Sequence, residues 1–347
     1  MIRKLPGGYR DRAASRADAK RLTELFNAYA TSRVGEAPHD ADELLLEWNT
    51  PEFDINRDTR VIVSPEGRIV GYGEVWDTHA PHVLVHVWGR VDPDAVGRGI
   101  GSWLLEWEEM RAREALLRAP EGARVAIRTG IPECCSESKG LLAESGYTPI
   151  REFYRMVIEM DGAPESPTWP AGVSVRVFDR ANDLDPMVRA MQDAFSDHWG
   201  HVARSFEEER KQWVYWIDSD KDFDPSLFFL AECDGEVAGA SFCTAKRPED
   251  ADLGWVHMLG VRRPWRHRGI ARSLLKHSFA TLYERGKTKV GLGVDGASLT
   301  GATHLYETAG MRCIRRSVSY ERELRPGRDL TTQTLGDANA EEGSHDQ

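Results

Sequence analysis

The sequence predicts an α/β (α+β) protein in which two similar domains follow one another. Segments with helical and strand-like periodicity alternate through the 347 residues, and this length suits about two domains of roughly 150 residues each. The same succession of hairpin, strand, glycine loop and helix is found twice. We therefore expect a first domain at residues 1–160, a linker at 161–171, a second domain at 172–325 and a disordered tail at 326–347.

The repeat rests on three glycine positions that recur in the same order and at nearly constant separation. Apolar runs of similar length flank both members of each pair. Agreement at one glycine would carry little weight, whereas three in register are typical of a duplicated unit. The pairs are Gly67 with Gly235, Gly99 with Gly269, and Gly146 with Gly310.

In the first half, amphipathic periodicity predicts helices, and short apolar runs bounded by turn residues predict strands. Gly67 lies in a turn between two apolar runs, which indicates a hairpin. The predicted elements are helices near 17–31 and 40–48, the hairpin, a strand at 83–91, a helix at 101–117, and strands near Val125 and Tyr154.

The second half gives a similar series. Asp234 and Gly235 between two apolar runs are a strong hairpin signal. Acidic residues open the second helix, as a helix N-terminus prefers. The predicted elements are helices at 184–195 and 205–217, strands at 227–233, 237–244 and 255–261, a helix at 270–285, a strand at 290–294, a short helix at 301–308 and a strand at 313–322.

The intervening segment at 161–171 and the end of the chain lack this periodicity. Residues 160–172 contain three prolines and two glycines, a composition typical of an extended linker. The chain from 326 onward is polar and has no periodic apolar positions, which favours disorder.

Composition narrows the function classes. No apolar run approaches the ~18 residues of a membrane span, and the N-terminus lacks the apolar core of a signal peptide. The formal charge of −11 argues against a nucleic-acid partner. We expect a cytoplasmic protein with no metal, because the cysteines have no metal-ligand spacing and suit reduced thiols. These are Cys134, Cys135, Cys233, Cys243 and Cys313.

The segment from Arg266 to Ala271 reads R-H-R-G-I-A and lies between an apolar run and a helix-like stretch. Backbone N–H groups at such a junction, together with the helix N-terminus, suit a pyrophosphate. A P-loop is excluded because no Gly-Lys-Ser/Thr follows, and G-R-G-I-G at Gly97–Gly101 lacks the dinucleotide-fold interval. A plain glycine-containing helix start is the alternative.

This loop resembles the acyl-CoA signature of the GNAT superfamily of N-acetyltransferases, and a second motif strengthens the resemblance. The stretch Val294–Met311 is similar to the GNAT segment that carries a tyrosine four residues before a glycine, here Tyr306 and Gly310. The resemblance implies two tandem GNAT folds, each a mixed, mostly antiparallel sheet flanked by helices.

In the family this tyrosine protonates the departing thiolate of coenzyme A, so the resemblance implies a catalytic Tyr306. A phenol is a donor at neutral pH, which suits that role; an aromatic packed on the sheet is the alternative. The implied acetyl-CoA contacts are Leu259, Gly260, Val261, Arg266, His267, Arg268, Gly269, Ile270, Ala271 and Ser298.

The two halves differ at the positions that carry chemistry. Val96 replaces Arg266, and Leu142 replaces Tyr306. We therefore expect catalysis in the second domain and a degenerate first domain, with a possible weaker CoA site at Gly97, Arg98, Gly99 and Gly101. A tandem protein with an active second domain resembles the mycothiol synthase group.

The general base and the acceptor loop complete the expected site. GNAT enzymes commonly place a glutamate where Trp255 stands, so His257, two residues on, is the candidate base; a buried histidine without a role is as good an interpretation. The oxyanion is expected at a backbone N–H of the bulged strand near Met258 or Leu259. The acceptor loop offers Asp197, His198, Trp199 and His201; a capping Asp and an anchoring Trp are the alternative.

The favoured function is transfer of an acetyl group from acetyl-CoA to a primary amine of a small molecule. A mycothiol synthase-type acetyltransferase is one alternative, which the missing glutamate weakens. A noncatalytic acyl-CoA-binding or regulatory tandem module is another.

Overall fold

The computed structural model describes residues 2–335 and divides the chain into two compact units. The first unit contains the chain up to Arg151 together with Ser317–Leu330. The second contains Glu152–Arg316 and, of the described residues that follow the first unit, 331–335. Neither unit is a single stretch of sequence, so the contiguous domains predicted at 1–160 and 172–325 differ from the units observed.

The first unit holds ten helices and strands before the chain enters β6 (Thr148–Glu159), which both units share. They are β1 (Arg10–Arg12), α1 (Ala19–Val34), α2 (Ala41–Glu47), α3 (Ile55–Asp58), β2 (Thr59–Val63), β3 (Ile69–Trp76), β4 (Leu84–Val91), α4 (Ile100–Ala112), β5 (Val125–Pro132) and α5 (Ser136–Glu144).

The second unit repeats this order, except that its described residues include no counterpart of α3, and it ends in β12 (Arg312–Arg325), whose later part belongs to the first unit. Its elements are β7 (Val173–Val177), α6 (Arg180–Phe195), α7 (Phe206–Ser219), β8 (Phe228–Cys233), β9 (Glu236–Thr244), β10 (Leu253–Val261), α8 (Ile270–Glu284), β11 (Lys289–Asp295) and α9 (Ala302–Thr308). The predicted elements are all present; β1, α3, α5 and β7 were not predicted.

Each unit has a mixed, mostly antiparallel sheet. The strand order is β1-β2-β3-β4-β5-β12 in the first unit and β7-β8-β9-β10-β11-β6 in the second. Within these series, β4–β5 and β10–β11 are the parallel pairs. The predicted fold class is therefore confirmed.

The last strand of each sheet comes from the other half of the sequence. Residues 317–325 of β12 pair antiparallel with β5, from Ser317 opposite Pro132 to Arg325 opposite Val125. In the second unit, residues 153–159 of β6 pair antiparallel with β11. This exchange of final strands is the physical reason why the units are discontinuous.

Helices α4 and α8 begin in the same way, which supports the duplication. Each follows a glycine in the left-handed region, Gly99 at φ +78° and Gly269 at φ +88°. A side chain at such a φ would strain the backbone. The first helical residues, Ile100 and Ile270, are both 1% exposed, so each glycine sets the angle at which its helix enters the core.

In the second unit the sheet has a hydrophobic cluster on each face. One cluster contains Leu274 and Phe279 of α8. The other contains Met187 of α6 and Trp213 of α7. Burial of these side chains fixes the sheet between the two helical layers.

Two segments predicted to lack tertiary contacts are packed in the structure. In the predicted linker, the Thr168 carbonyl accepts a hydrogen bond from Ser273 Oγ at 2.6 Å, and Trp169 packs against the core. Near the end of the chain, Thr332 exchanges backbone hydrogen bonds with Gly200 and His201 at 2.7 and 2.8 Å. The predicted disorder is therefore wrong for residues 326–335, and residues 336–347 lie outside the described residues.

Candidate active site

A cavity of about 580 Å³ opens in the second unit where β10 and β11 separate. Parallel pairing of the two strands stops at Val256 and Leu292. The later residues of both strands then line the cavity together with the N-terminus of α8 and with α9. Backbone groups that are unpaired at the separation can therefore meet a ligand.

The β10 strand carries the predicted bulge beside this separation. Its register with β9 shifts between Val256 and Met258, so one extra residue, His257, is accommodated there. A bulge redirects side chains and frees backbone groups from the ladder. The cavity is lined here by His257, Met258 and Leu259, which places the expected oxyanion donors at its wall.

The glycine loop forms the other end of the cavity. His267 and Gly269 both have positive φ, at +60° and +88°, and α8 begins at the next residue, Ile270. The cavity is lined by His267, Gly269, Ile270 and Ala271, whereas Arg268 does not line it. The first N–H groups of a 15-residue helix thus face the cavity, where they suit an anion.

Arg266 lines the cavity and forms an ion pair with Asp197, an arrangement that differs from the acceptor contact predicted for Asp197. The Arg266 guanidinium binds both carboxylate oxygens of Asp197. It also donates to the carbonyls of Ala194 and Val261, at 3.0 and 3.1 Å. Asp197 is 3% exposed and does not line the cavity, so its carboxylate is not available to a cationic acceptor. The pair instead joins the glycine loop to the end of α6.

Tyr306 lies on α9 and faces the cavity. Its side chain is buried, and its hydroxyl makes no hydrogen bond with any residue in the described part of the chain. Burial raises the pKa of Tyr306 to about 12. Gly310, at φ +93°, ends the helix in the left-handed conformation typical of a helix C-terminus. The spacing of this tyrosine and glycine thus reflects the geometry of a short helix that presents a phenol.

His257 borders the same cavity as a neutral imidazole. Its Nε2 lies 2.9 Å from Thr244 Oγ1. Desolvation, assisted by the positive charge of Arg247, lowers the pKa of His257 to about 4. The ring is therefore uncharged at neutral pH, and its basicity is weak.

Trp255 occupies the strand position at which the family commonly has a glutamate, and it lies outside the cavity. The guanidinium groups of Arg155 and Arg247 each lie 4.9 Å from its ring. Both arginines also bind Glu249 Oε1, at 2.8 and 2.9 Å. At this position the structure therefore has an aromatic ring with two guanidinium groups beside it, and not the carboxylate common in the family.

The predicted acceptor loop divides into two parts. His198 and Trp199 line the cavity, whereas His201 does not. The Trp199 indole donates to Gln333 Oε1 at 3.0 Å. Desolvation lowers the pKa of both His198 and His201. Residues that the prediction placed in a disordered tail thus hold the loop.

The other predicted contacts lie at the cavity wall, namely Gly260, Val261 and Ser298. The lining also includes residues that sequence reasoning did not identify: Phe153, Phe195, Trp265, Arg272, Asp295 and Leu305. Phe195 lies two residues before Asp197, the first residue of the predicted loop, and could have been proposed from that position. Phe153 belongs to β6, and the strand exchange that brings it here has no local sequence signal.

The first unit has a corresponding groove of about 520 Å³. Gly97, Gly99 and Gly101 line it, and so do Val96 and Leu142. The predicted Arg98 does not line this groove; its guanidinium binds the hydroxyl of Tyr9 and the carbonyl of Asp94. The glycine loop is thus retained, and aliphatic residues occupy the positions of Arg266 and Tyr306.

Residues 2–335 lack the features of two other function classes, membrane-spanning proteins and proteins with a clustered metal site. No helix there is long and apolar enough to cross a bilayer. No group of three or more His, Cys, Asp or Glu side chains in that range is arranged to hold a metal ion.

Comparisons with known proteins match this geometry. The model of the Acetyltransferase (GNAT) family matches residues 20–122 and 188–311. The mycothiol acetyltransferase of Thermobispora bispora is 30% identical over 255 residues, covering 72% of this chain and 78% of the relative. The crystal structure of a GCN5-related N-acetyltransferase from Sphaerobacter thermophilus is 33% identical, with a TM-score of 0.79, and covers 95% of this chain and 100% of that chain. A tandem GNAT protein from the clavulanic acid biosynthesis pathway has the same fold at 15% identity, with a TM-score of 0.69 and coverage of 92% and 99%.

Proposed function

The chain belongs to the GNAT family and is an acetyltransferase, and from this premise we propose that its second unit transfers the acetyl group of acetyl-CoA to a primary amine of a small molecule. The observation that carries the proposal is Tyr306, a buried side chain whose hydroxyl is unpartnered within the described residues and which borders the same cavity as the N-terminus of α8.

The donor is proposed to bind with its diphosphate at the first N–H groups of α8. Its pantetheine arm then follows the edge of β10 where that strand has left β11. Helix N-termini stabilise phosphate through aligned N–H groups and the helix dipole. The Arg266–Asp197 pair does not contact phosphate in this scheme; it holds the loop against α6.

The proposed chemistry is direct transfer. The neutral amine attacks the acetyl carbonyl, and a backbone N–H at the bulge near Met258 or Leu259 stabilises the tetrahedral oxyanion. As the intermediate collapses, the C–S bond breaks and Tyr306 donates its proton to sulfur, while the former amine nitrogen, positively charged after the attack, gives up its second proton, which replaces the one lost by Tyr306. Because burial raises the pKa of Tyr306 to about 12, this hydroxyl stays protonated until the thiolate forms.

The amine is proposed to lose its proton largely before transfer. His257 is too weak a base to hold that proton, since desolvation lowers its pKa to about 4. Arg247, whose charge contributes to that shift, also disfavours an ammonium ion nearby, which lowers the pKa of a bound amine. His257 then serves as a neutral hydrogen-bond partner, and water accepts the proton.

The acceptor is proposed to contact His198 and Trp199 at the cavity wall. A mycothiol-type acceptor is a second candidate, favoured by the similarity to mycothiol acetyltransferases at 30% identity and disfavoured by Trp255 in place of an acid. The noncatalytic module is not retained, because the family and these relatives are acetyltransferases. A cytoplasmic location and a metal-free reaction are also part of the proposal.

Release of free thiol from acetyl-CoA in the presence of an amine panel tests the proposal. Tyr306→Phe is expected to lower kcat by roughly ten- to ten-thousandfold, the range for loss of a general acid. Tyr283→Phe is the matched control, because Tyr283 lies on α8 outside the cavity. Equal turnover by the two variants would remove Tyr306 from the mechanism, and no turnover of any amine by the wild type would refute the transfer itself.

We also propose a second, weaker CoA site in the groove of the first unit. Ala271 and Gly101 occupy the same second position of α8 and α4, and both line their grooves. A glutamate there suits the helix dipole but repels a diphosphate. In calorimetry with CoA, the Ala271→Glu variant should therefore lack the tighter site, and the Gly101→Glu variant should lack the weaker site. A single site in the wild type, abolished by Ala271→Glu, would exclude the second.

A further inference from the structure

Another cavity of the first unit, with a volume of about 390 Å³, is walled by carboxyl groups and aromatic rings. The carboxyl groups are those of Glu47 and Glu74, and the rings are those of Phe26, Trp76 and Trp88. The groove of the same unit shares one lining residue with it, Thr129. Neither the acetyl transfer nor the second CoA site proposed above uses this space.

Glu74 is a buried carboxyl group without a counter-ion. It lies on β3 opposite Trp88 of β4 and is 7% exposed. The Tyr72 hydroxyl donates to its Oε2 at 2.7 Å, and the Trp48 indole donates to that hydroxyl at 3.0 Å. No Lys, Arg or His nitrogen in the described residues forms an ion pair with Glu74. Desolvation raises its pKa.

Glu47 places a second carboxyl group at the cavity. It is the last residue of α2, where a negative charge opposes the helix dipole. Its pKa is raised to about 8 by desolvation, by Glu74 and by Glu43. The charge of Glu74 thus disfavours ionisation of its neighbour Glu47, and a cation bound between the two carboxyl groups would relieve this repulsion.

The positive groups of the surrounding elements include Arg128, which lines the cavity but whose guanidinium is bound to a carboxylate. On β5, Arg128 Nε donates to Glu321 Oε2 at 2.7 Å. On β4, the Arg90 guanidinium lies 4.0 Å from the centre of the Trp88 ring and lowers the pKa of Glu74 only as the smallest contribution. The remaining titratable groups that face the pair are His39, Glu43, Tyr72, His86 and, across the sheet, Glu108.

The equivalent position of the second unit is apolar. Gly71 and Gly239 are equivalent positions of β3 and β9, so Phe242 corresponds to Glu74. Phe242 is 1% exposed and packs against the rings of Trp216 and Phe228. The carboxyl group is thus a particular feature of the first unit and is not required by the fold.

We propose that this cavity binds a primary ammonium ion carried by a small, ring-shaped apolar molecule. Glu47 and Glu74 supply the counter-charge, and the ammonium donates the hydrogen bonds that their oxygens accept. Trp76, Trp88 and Phe26 supply aromatic faces, which attract a cation and pack against its apolar part. The first unit is on this basis a ligand-binding unit in its own right.

Calorimetry of the full chain tests the proposal with benzylammonium chloride and its uncharged counterpart, benzyl alcohol. The wild type should bind benzylammonium with a component that Glu74→Gln weakens at least about tenfold, equivalent to ~1.4 kcal/mol. Benzyl alcohol should lack that component. Glu43→Gln is the matched control, since Glu43 lies on α2 outside the cavity lining. Any component that persists in Glu74→Gln belongs to the second unit.

Glu47→Gln provides an independent test, because Glu47 lies at a helix end and its replacement does not disturb the core. Affinity for benzylammonium should rise with pH through about pH 8, since the cation binds the deprotonated acid. That rise should flatten in Glu47→Gln. Wild-type affinity in both variants, or equal binding of benzyl alcohol, would overturn the proposal.

Discussion

Replacing Asp197 with asparagine tests whether the glycine loop is held from α6 rather than by its own backbone. The wild-type carboxylate receives two hydrogen bonds from Arg266. The side chain of Asp197 is 4% exposed and that of Arg266 is 20% exposed, so water cannot readily replace either partner. An asparagine at this position would keep one acceptor oxygen and lose both the charge and the second acceptor.

The expected loss can be worked from these contacts. One charge-assisted hydrogen bond contributes ~1.5–3 kcal/mol, and the remaining bond weakens without the charge, so the free energy of unfolding should fall by about 2 kcal/mol. A loop displaced at a cost of ~1.4 kcal/mol binds its ligand tenfold more weakly. We therefore expect the KM for acetyl-CoA to rise about tenfold, with kcat nearly unchanged because Tyr306 lies on another helix.

Urea denaturation measures the first quantity, and thiol release at varied acetyl-CoA concentration measures the second. Asp193→Asn is the control, because Asp193 lies one turn earlier on α6 and pairs with Arg262 and Arg263, neither of which lines the cavity. It should lose stability without a change in KM. If Asp197→Asn also lost stability without a change in the KM for acetyl-CoA, the role of the pair would be structural and the proposed positioning of the loop would be refuted.

Three further predictions rest on single contacts. Gly269→Ala should lower the free energy of unfolding by ~1–2 kcal/mol, since alanine disfavours the observed φ of +88°; Gly286→Ala, at φ +79° away from the cavity, should match this loss but leave acetyl-CoA binding intact. NMR titration of His257 should show a midpoint near pH 4, because its pKa is lowered to about 4. The contribution of His257 to stability is therefore lost as the pH falls below the pKa of an unfolded histidine. A midpoint near 6.5 would contradict the assignment. Arg12 and Ser15 hold the pKa of Asp18 at about 2, so Asp18→Asn should be destabilising by ~1 kcal/mol at pH 7. Urea denaturation should show that the difference in free energy of unfolding between the wild type and Asp18→Asn vanishes as the pH falls to about 2. A difference that does not change with pH would contradict this prediction.

The repeated fold could be predicted because its determinants are local. The backbone angle at each helix start requires a glycine, Gly99 or Gly269, and the buried position that follows requires an apolar residue, here an isoleucine in both units. Both requirements leave a mark in the sequence that recurs at a fixed interval. Short elements such as α3 and β7 leave weaker marks, since few residues contribute to their periodicity.

The pairing of the final strands could not be predicted in this way. Alternating side chains show that β6 and β12 are strands, but do not reveal which neighbour each one joins. The same limit applies to the site. Tyr306 and the glycine loop lie in continuous motifs, whereas the ion pair of Asp197 with Arg266 joins residues far apart in sequence. Their residue types predicted two separate ligand contacts, whereas in the tertiary structure Asp197 and Arg266 bind each other.

The exchange of final strands sets the order in which the molecule can be completed during synthesis. The sheet of the first unit receives its last strand from residues 317–325, which leave the ribosome after nearly all of the second unit. Domains usually fold as they emerge, N-terminal first. Here β5 keeps an open edge until the end of translation, and a chain that stops near residue 160 would retain that edge permanently. Unpaired strand edges promote aggregation, so we expect neither half of the sequence to fold into a stable, soluble domain when it is produced alone.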